Sequence, residues 1–135
     1  MTGGYREAVD WLFQVRRFGP ERTLDPIIRL AEMMENPQNS FRVIHVTGTN
    51  GKGSTSAMIA SILRAAGYSV GLFTSPHLER FTERIVVDGE EISEEDVVRL
   101  TGVTRPLVEV LNAEPETVHP LFFDIVTAMA FEYFK

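Results

Sequence analysis

The run Thr47-Gly48-Thr49-Asn50-Gly51-Lys52-Gly53-Ser54 has the residue types of a phosphate cradle. At Gly48, Gly51 and Gly53 a side chain would obstruct the anion, so glycine lets the backbone come close and aim successive N–H groups at it. Lys52 adds a mobile cation suited to the β and γ phosphates of ATP, and the Ser54 hydroxyl can ligate Mg²⁺ or a phosphate oxygen. A helix beginning here would add the positive end of its dipole. The spacing departs from the usual loop pattern, because Val46 stands where its first glycine would be and Gly53 separates the lysine from Ser54. The alternative is a glycine-rich turn with no ligand, which leaves the lysine at the junction without a task.

Such a loop needs a strand before it and a helix after it. Phe41 to Val46 is a short β-rich run bounded by turn formers, as in a parallel sheet, and it places His45 in a buried strand as a core histidine with one partner. Ser54 to Ala66 has a long apolar face, Gly67 supplies a left-handed cap, and Val70 to Phe73 reads as a second strand. The order strand, loop, helix, strand predicts one βαβ unit with a right-handed crossover. The expected fold class is therefore α/β, a phosphate-loop parallel sheet flanked by helices.

Around this unit the apolar spacing predicts a helix from Tyr5 to Phe18. A second runs from the Asp25-Pro26 cap to Asn36-Pro37. Asp88-Gly89 between Ile85-Val86-Val87 and Glu91-Ile92 is a hairpin signal. Ser93 and Asp96 resemble a capping box for a helix from Glu94 toward Leu111, with a kink or break expected at Pro106. Pro120 opens a last helix carrying Phe122, Ile125, Val126, Met129, Ala130 and Tyr133 on a wide apolar face. The α/β pattern calls for another strand after Lys135, so the chain reads as residues 1–135 of a longer protein, the N-terminal part of one ATP-binding domain.

Of its 135 residues 44% are hydrophobic and 24% charged, the balance of an ordinary globular domain. A net charge of −6 argues against a nucleic-acid surface or an acidic membrane, so any anion must be held locally. No apolar run approaches the roughly 20 residues of a membrane span. The absence of cysteine fits a reducing cytoplasm, the expected location.

The loop resembles that of the Mur ligase superfamily, and Gly-Lys-Gly-Ser in particular is similar to its folate branch, the folylpolyglutamate and dihydrofolate synthases. Phe73-Thr74-Ser75-Pro76-His77-Leu78 resembles that family's Thr-Ser-Pro-His-Leu loop. Thr82-Glu83-Arg84-Ile85 is similar to its Glu-Arg-Ile segment, which is often led by asparagine where Thr82 stands here. The resemblance runs from about Gly19 to the end of the chain. It implies an ATP- and Mg²⁺-dependent ligase that phosphorylates a carboxylate of dihydropteroate or folate and lets the amine of glutamate attack the acyl phosphate. Nucleotide contacts would come from Thr49, Asn50, Gly51, Lys52, Gly53 and Ser54. Ser75, with Ser54, would hold the metal.

Lys52 and Arg84 are the expected catalytic residues, Arg84 placing a guanidinium near the transferring phosphoryl group. The pteroate end of the substrate is expected at Gly19, Pro20, Glu21 and Arg22 and at Leu121, Phe122, Phe123 and Asp124, where aromatic rings and an arginine suit a flat heterocycle with a carboxylated tail. Further metal ligands and the adenine and glutamate contacts would come from the remainder of the parent chain, expected to be a monomer. Taken residue by residue, alternatives stay open: Ser75-Pro76 as an ordinary turn, Arg84 as a solvated strand arginine, His77 as a loop-shaping residue and Phe122 as core. Two other functions also remain open: a small-molecule kinase or nucleotide switch, and a nucleotide-binding piece inactive alone.

Overall fold

The computed structural model of the chain describes residues 3–16, 23–77, 79–114 and 119–135. The elements are α1 (Gly3–Gln14), α2 (Asp25–Met33), a 3-10 turn (Pro37–Ser40), α3 (Lys52–Ala65), β1 (Gly71–Phe73), a second 3-10 turn (Phe81–Arg84), β2 (Ile85–Val87), β3 (Glu90–Glu91), α4 (Glu94–Asn112) and α5 (Phe122–Phe134). They fall into two units, Met1–Phe41 with Glu94–Lys135, and Arg42–Ser93.

The first unit is helical. α1 packs on α4, α2 on α5 and α4 on α5, around Leu12, Leu30, Val97, Leu100, Leu111, Ile125, Val126 and Met129. Burying each such side chain contributes about 1.5–3 kcal/mol, so this cluster decides where the helices lie. Thr101 and Thr104 are buried in α4, and their hydroxyls donate back to the carbonyls of Val97 (2.7 Å) and Leu100 (3.0 Å). No polar cost is then left unmatched there.

The helices differ from expectation at several points, α2 ending at Met33 and α5 beginning at Phe122 among them. α1 stops at Gln14 rather than Phe18, and the Arg16 carbonyl accepts the Phe122 N–H at 2.9 Å, an interaction that competes with continuing the helix. Leu24, not Asp25, is the N-cap of α2, so Asp25 and Pro26 lie inside the first turn, and the Thr23 hydroxyl accepts the Asp25 N–H at 3.0 Å. α4 passes Pro106 without a break. Pro106 and Gly102 are both exposed, so water can hydrate the Gly102 carbonyl that proline leaves without a donor.

The second unit holds a three-stranded antiparallel sheet in the order β1-β2-β3. Gly71 pairs with Val87, Leu72 with Val86 and Phe73 with Ile85, and the two-residue turn at Asp88 (φ +50°) and Gly89 (φ +84°) closes the expected hairpin. α3 ends as foreseen at Gly67 (φ +98°), with Gly67 N–H on the Arg64 carbonyl and Tyr68 N–H on that of Leu63.

The parallel pairing expected of Phe41 to Val46 is not formed among the described residues. A strand is made by its neighbours, and without a ladder Val43 and Ile44 are 62% and 61% exposed and His45 is exposed too, not a core residue. For the same reason the apolar face of α3 carries no buried residue, with Met58 and Ile62 in the open.

Candidate functional site

α3 begins at Lys52, two residues earlier than the apolar pattern indicates, so the phosphate-type loop runs straight into the first helical turn. Gly51 sits at the N-cap in the left-handed region at φ +72°, and Gly48 has φ +150°. L-side chains rarely adopt such angles, which is the local reason for glycine. The first main-chain bond of the helix runs from the Thr55 N–H to the Gly51 carbonyl at 2.9 Å. The N–H groups of Lys52, Gly53 and Ser54 therefore lie ahead of the intrahelical ladder, where an anion can take them.

Thr49, Asn50, Gly51, Lys52, Gly53 and Ser54 are all exposed. A Cβ built on Gly51 or Gly53 would meet nothing within 4 Å, so the space beside this backbone is open to a ligand. That cradle fits a polyphosphate. Among the described residues no three His, Cys, Asp or Glu side chains cluster to hold a metal. The hydroxyl oxygens of Ser54 and Ser75 are of the type that Mg²⁺ accepts.

Ser75 is exposed in the loop that follows β1, joined to Pro76 by a cis peptide bond. α3 packs on β1 in this unit. The β1-β2 pairing is carried one step further by the Thr74 N–H on the Arg84 carbonyl at 3.0 Å. Thr74 and Arg84 are thereby placed side by side along the backbone, with Ser75 the residue after Thr74.

Arg84 is not a solvated strand residue. It closes the 3-10 turn Phe81–Arg84, is only 5% exposed, and its Nε donates to Nδ1 of His77 at 2.7 Å. An arginine only donates, so Nδ1 is the acceptor and Nε2 carries the His77 proton. His77 also meets the ring of Phe81 edge-on at 6.3 Å.

The turn is itself held. Glu83 accepts the N–H groups of Glu79 (3.1 Å) and Arg80 (2.8 Å). Glu91 on β3 accepts Nη2 of Arg80 at 2.7 Å and the Thr82 hydroxyl at 2.6 Å. The Arg80 hydrogen bond, then that of Thr82, holds the Glu91 carboxyl below the usual carboxylate range. Sequence reasoning passed over Glu91 because only the hairpin register brings it to Thr82.

The substrate residues expected elsewhere fare differently. Gly19, Pro20, Glu21 and Arg22 lie outside the described residues. Leu121, Phe122, Phe123 and Asp124 open α5 in the helical unit. Phe122 is 5% exposed and stacks on Phe13 at 5.7 Å with 19° between the rings, which makes it core, whereas Phe123 is exposed. Asp124 accepts the Leu121 N–H at 2.8 Å, and burial pushes its carboxyl up despite that bond. The Phe122–Arg16 bond places the start of α5 beside Arg16, just beyond the end of α1. Phe13, missed in the sequence, belongs to this corner.

No protein-family model matches the chain. The dihydrofolate synthase/folylpolyglutamate synthase of Bacillus subtilis is 42% identical over 134 residues, 99% of this chain and 31% of that protein. The crystal structure of folylpolyglutamate synthase from Thermotoga maritima superposes with a TM-score of 0.89 at 42% identity, over 96% of this chain and 30% of that one. A complex of folylpolyglutamate synthase with AMPPCP and folate gives 0.88 at 38% identity, over 96% and 32%. The α/β fold is the one these enzymes share, and the chain spans about a third of the length of the curated relatives it matches.

Proposed function

Because the chain is homologous over nearly its whole length to about a third of the folylpolyglutamate and dihydrofolate synthases, we propose that it is the ATP-binding front part of such a ligase. The parent enzyme is a cytoplasmic monomer that joins the amine of L-glutamate to dihydropteroate or folate by way of an acyl phosphate. The observation that carries this reading is Gly51 at φ +72° delivering Lys52 as the first residue of α3, with open space beside the loop. A relative with the same fold holds AMPPCP and folate, which supports ATP as the nucleotide and a folate as the acceptor.

In this reading the amides of Thr49 to Ser54 and the ammonium of Lys52 offset polyphosphate charge. Ser75 and Ser54 would hold Mg²⁺, which when bound neutralises the charge on the transferring phosphoryl group. Arg84, whose carbonyl takes the N–H of Thr74 next to Ser75 and whose guanidinium is braced on His77, would face the same developing charge. Gly19, Pro20, Glu21 and Arg22, with Leu121, Phe123 and Asp124, would receive the pteroate moiety; Phe122 shapes that corner from the core. Phosphoryl transfer asks the protein chiefly for alignment and charge compensation, so the loop, Ser75 and Arg84 supply part of what it needs and the rest of the parent supplies the remainder.

The test is isothermal titration of ATP with Mg²⁺ into the chain and into Lys52→Ala. Loss of a charge-assisted contact is worth about 1.5–3 kcal/mol, about ten- to a hundredfold in affinity. Equal affinities would remove Lys52 from the site. A glutamate incorporation assay beside the longer parent is expected to give product only with the parent.

A further inference from the structure

Thr82 stands where the resembled family often carries asparagine, and in this chain its hydroxyl is spent on Glu91 at 2.6 Å. Thr82 is 7% exposed, so its hydroxyl needs a partner inside the fold, and Glu91 is the one its geometry provides. The same carboxylate takes Arg80 through both oxygens, Nε at 3.4 Å and Nη2 at 2.7 Å. Glu91 thus grips the turn Phe81–Arg84 at the residue before it and at its second residue, while Glu83 grips its entry from within. Two residues beyond Thr82, Arg84 leaves the turn buried and reaches His77 in the loop that carries Ser75.

We propose that Thr82 and Glu91 are positioning residues for Arg84: the hydroxyl-to-carboxylate bond sets the rotation of the turn, and that rotation delivers the guanidinium to His77. A threonine at this position needs an acceptor on β3, and the register Val86 opposite Glu91 supplies it. The consequence for nucleotide rests on the proposed role of Arg84: a guanidinium aimed at the terminal phosphate favours a triphosphate over a diphosphate.

The test separates the two levels. Nitrogen-15 NMR of the His77 ring in the intact chain at pH 7.5 reads the tautomer directly, and a single Nε2–H form is expected in the wild type. Thr82→Val keeps the shape and removes the donor; it is expected to mix the His77 tautomers and to lower the ATP-over-ADP affinity ratio about tenfold, the worth of one charge-assisted bond. Thr82→Ser and Thr82→Asn, which retain a donor, are expected to restore both readouts. Glu91→Gln keeps an acceptor for Thr82 while losing the charge on Arg80, and is expected to leave the His77 signal near the wild type. Should Thr82→Val fail to fold, Glu91→Ala in the same two measurements decides.

A folded Thr82→Val or Glu91→Ala with an unchanged His77 tautomer would overturn the proposal. If the tautomer responds but Arg84→Ala itself leaves the ATP-over-ADP ratio unchanged, the positioning stands and the phosphoryl role of Arg84 falls.

Discussion

Gly53→Ala should raise stability and lower nucleotide affinity in the same molecule. Gly53 is the second residue of α3, and a Cβ there would meet nothing within 4 Å. Replacing a helical glycine by alanine restricts the unfolded chain and is worth about 0.5–1 kcal/mol. For a chain of this size that raises the melting temperature of the transition that includes α3 by about 2–5 °C. The open space is also where a phosphate must sit to reach the N–H groups at the start of the helix. A methyl group pushed into it displaces the anion from one such bond, at about 1.5–3 kcal/mol, a ten- to hundredfold loss. Circular dichroism melting without nucleotide reads the first effect and titration with ATP and Mg²⁺ the second. A rise in melting temperature with unchanged affinity would mean that phosphate does not approach this face of the turn, and the cradle assignment would fail. Gly51→Ala is the control: it is equally uncrowded but lies at φ +72°, so it should destabilise by about 1–2 kcal/mol.

Ser75→Ala should reduce the Mg²⁺-dependent part of ATP affinity and leave metal-free binding unchanged; equal losses in paired titrations would make Ser75 a loop-shaping residue only. Ile125→Ala, at a fully buried position of α5, should cost about 2–5 kcal/mol in denaturant unfolding, and a cost under about 1 kcal/mol would contradict the packing described. Glu91 and Asp88 have depressed carboxyl pKa values, Asp88 through the Val70 N–H and then Ser69. Their contribution is full above the ordinary carboxylate value of about 4 and is lost as pH falls through the lower folded value, so acid melting of Glu91→Gln should be less steep than that of the wild type. Asp124 has the opposite sign: its folded pKa is raised by burial, so stability falls as pH rises through a window beginning near about 4, and Asp124→Asn should remove that slope.

Glycines, lysine and turn pairs could be read directly because their physics is local. Gly51 and Gly67 occupy left-handed positions whatever surrounds them, Asp88-Gly89 forms a two-residue hairpin turn from its own dihedral preferences, and an apolar stripe such as that of α5 reports its buried face. Partners were not readable in this way. Residues 41–46 have the composition of a strand, yet a strand exists only with a neighbour to take its N–H and C=O groups, and none does so among the described residues. Arg84 as a single residue was equally consistent with a solvated position. Only the pairing of β1 with β2 sets it beside Thr74, and only the register of β3 brings Glu91 to Thr82. Sequence by itself determined which residues can bend, donate or carry charge. The tertiary structure decided which of them meet, because hydrogen bonds and ion pairs act over a few ångströms while the groups they join lie 7 positions apart at His77 and Arg84 and 9 at Thr82 and Glu91.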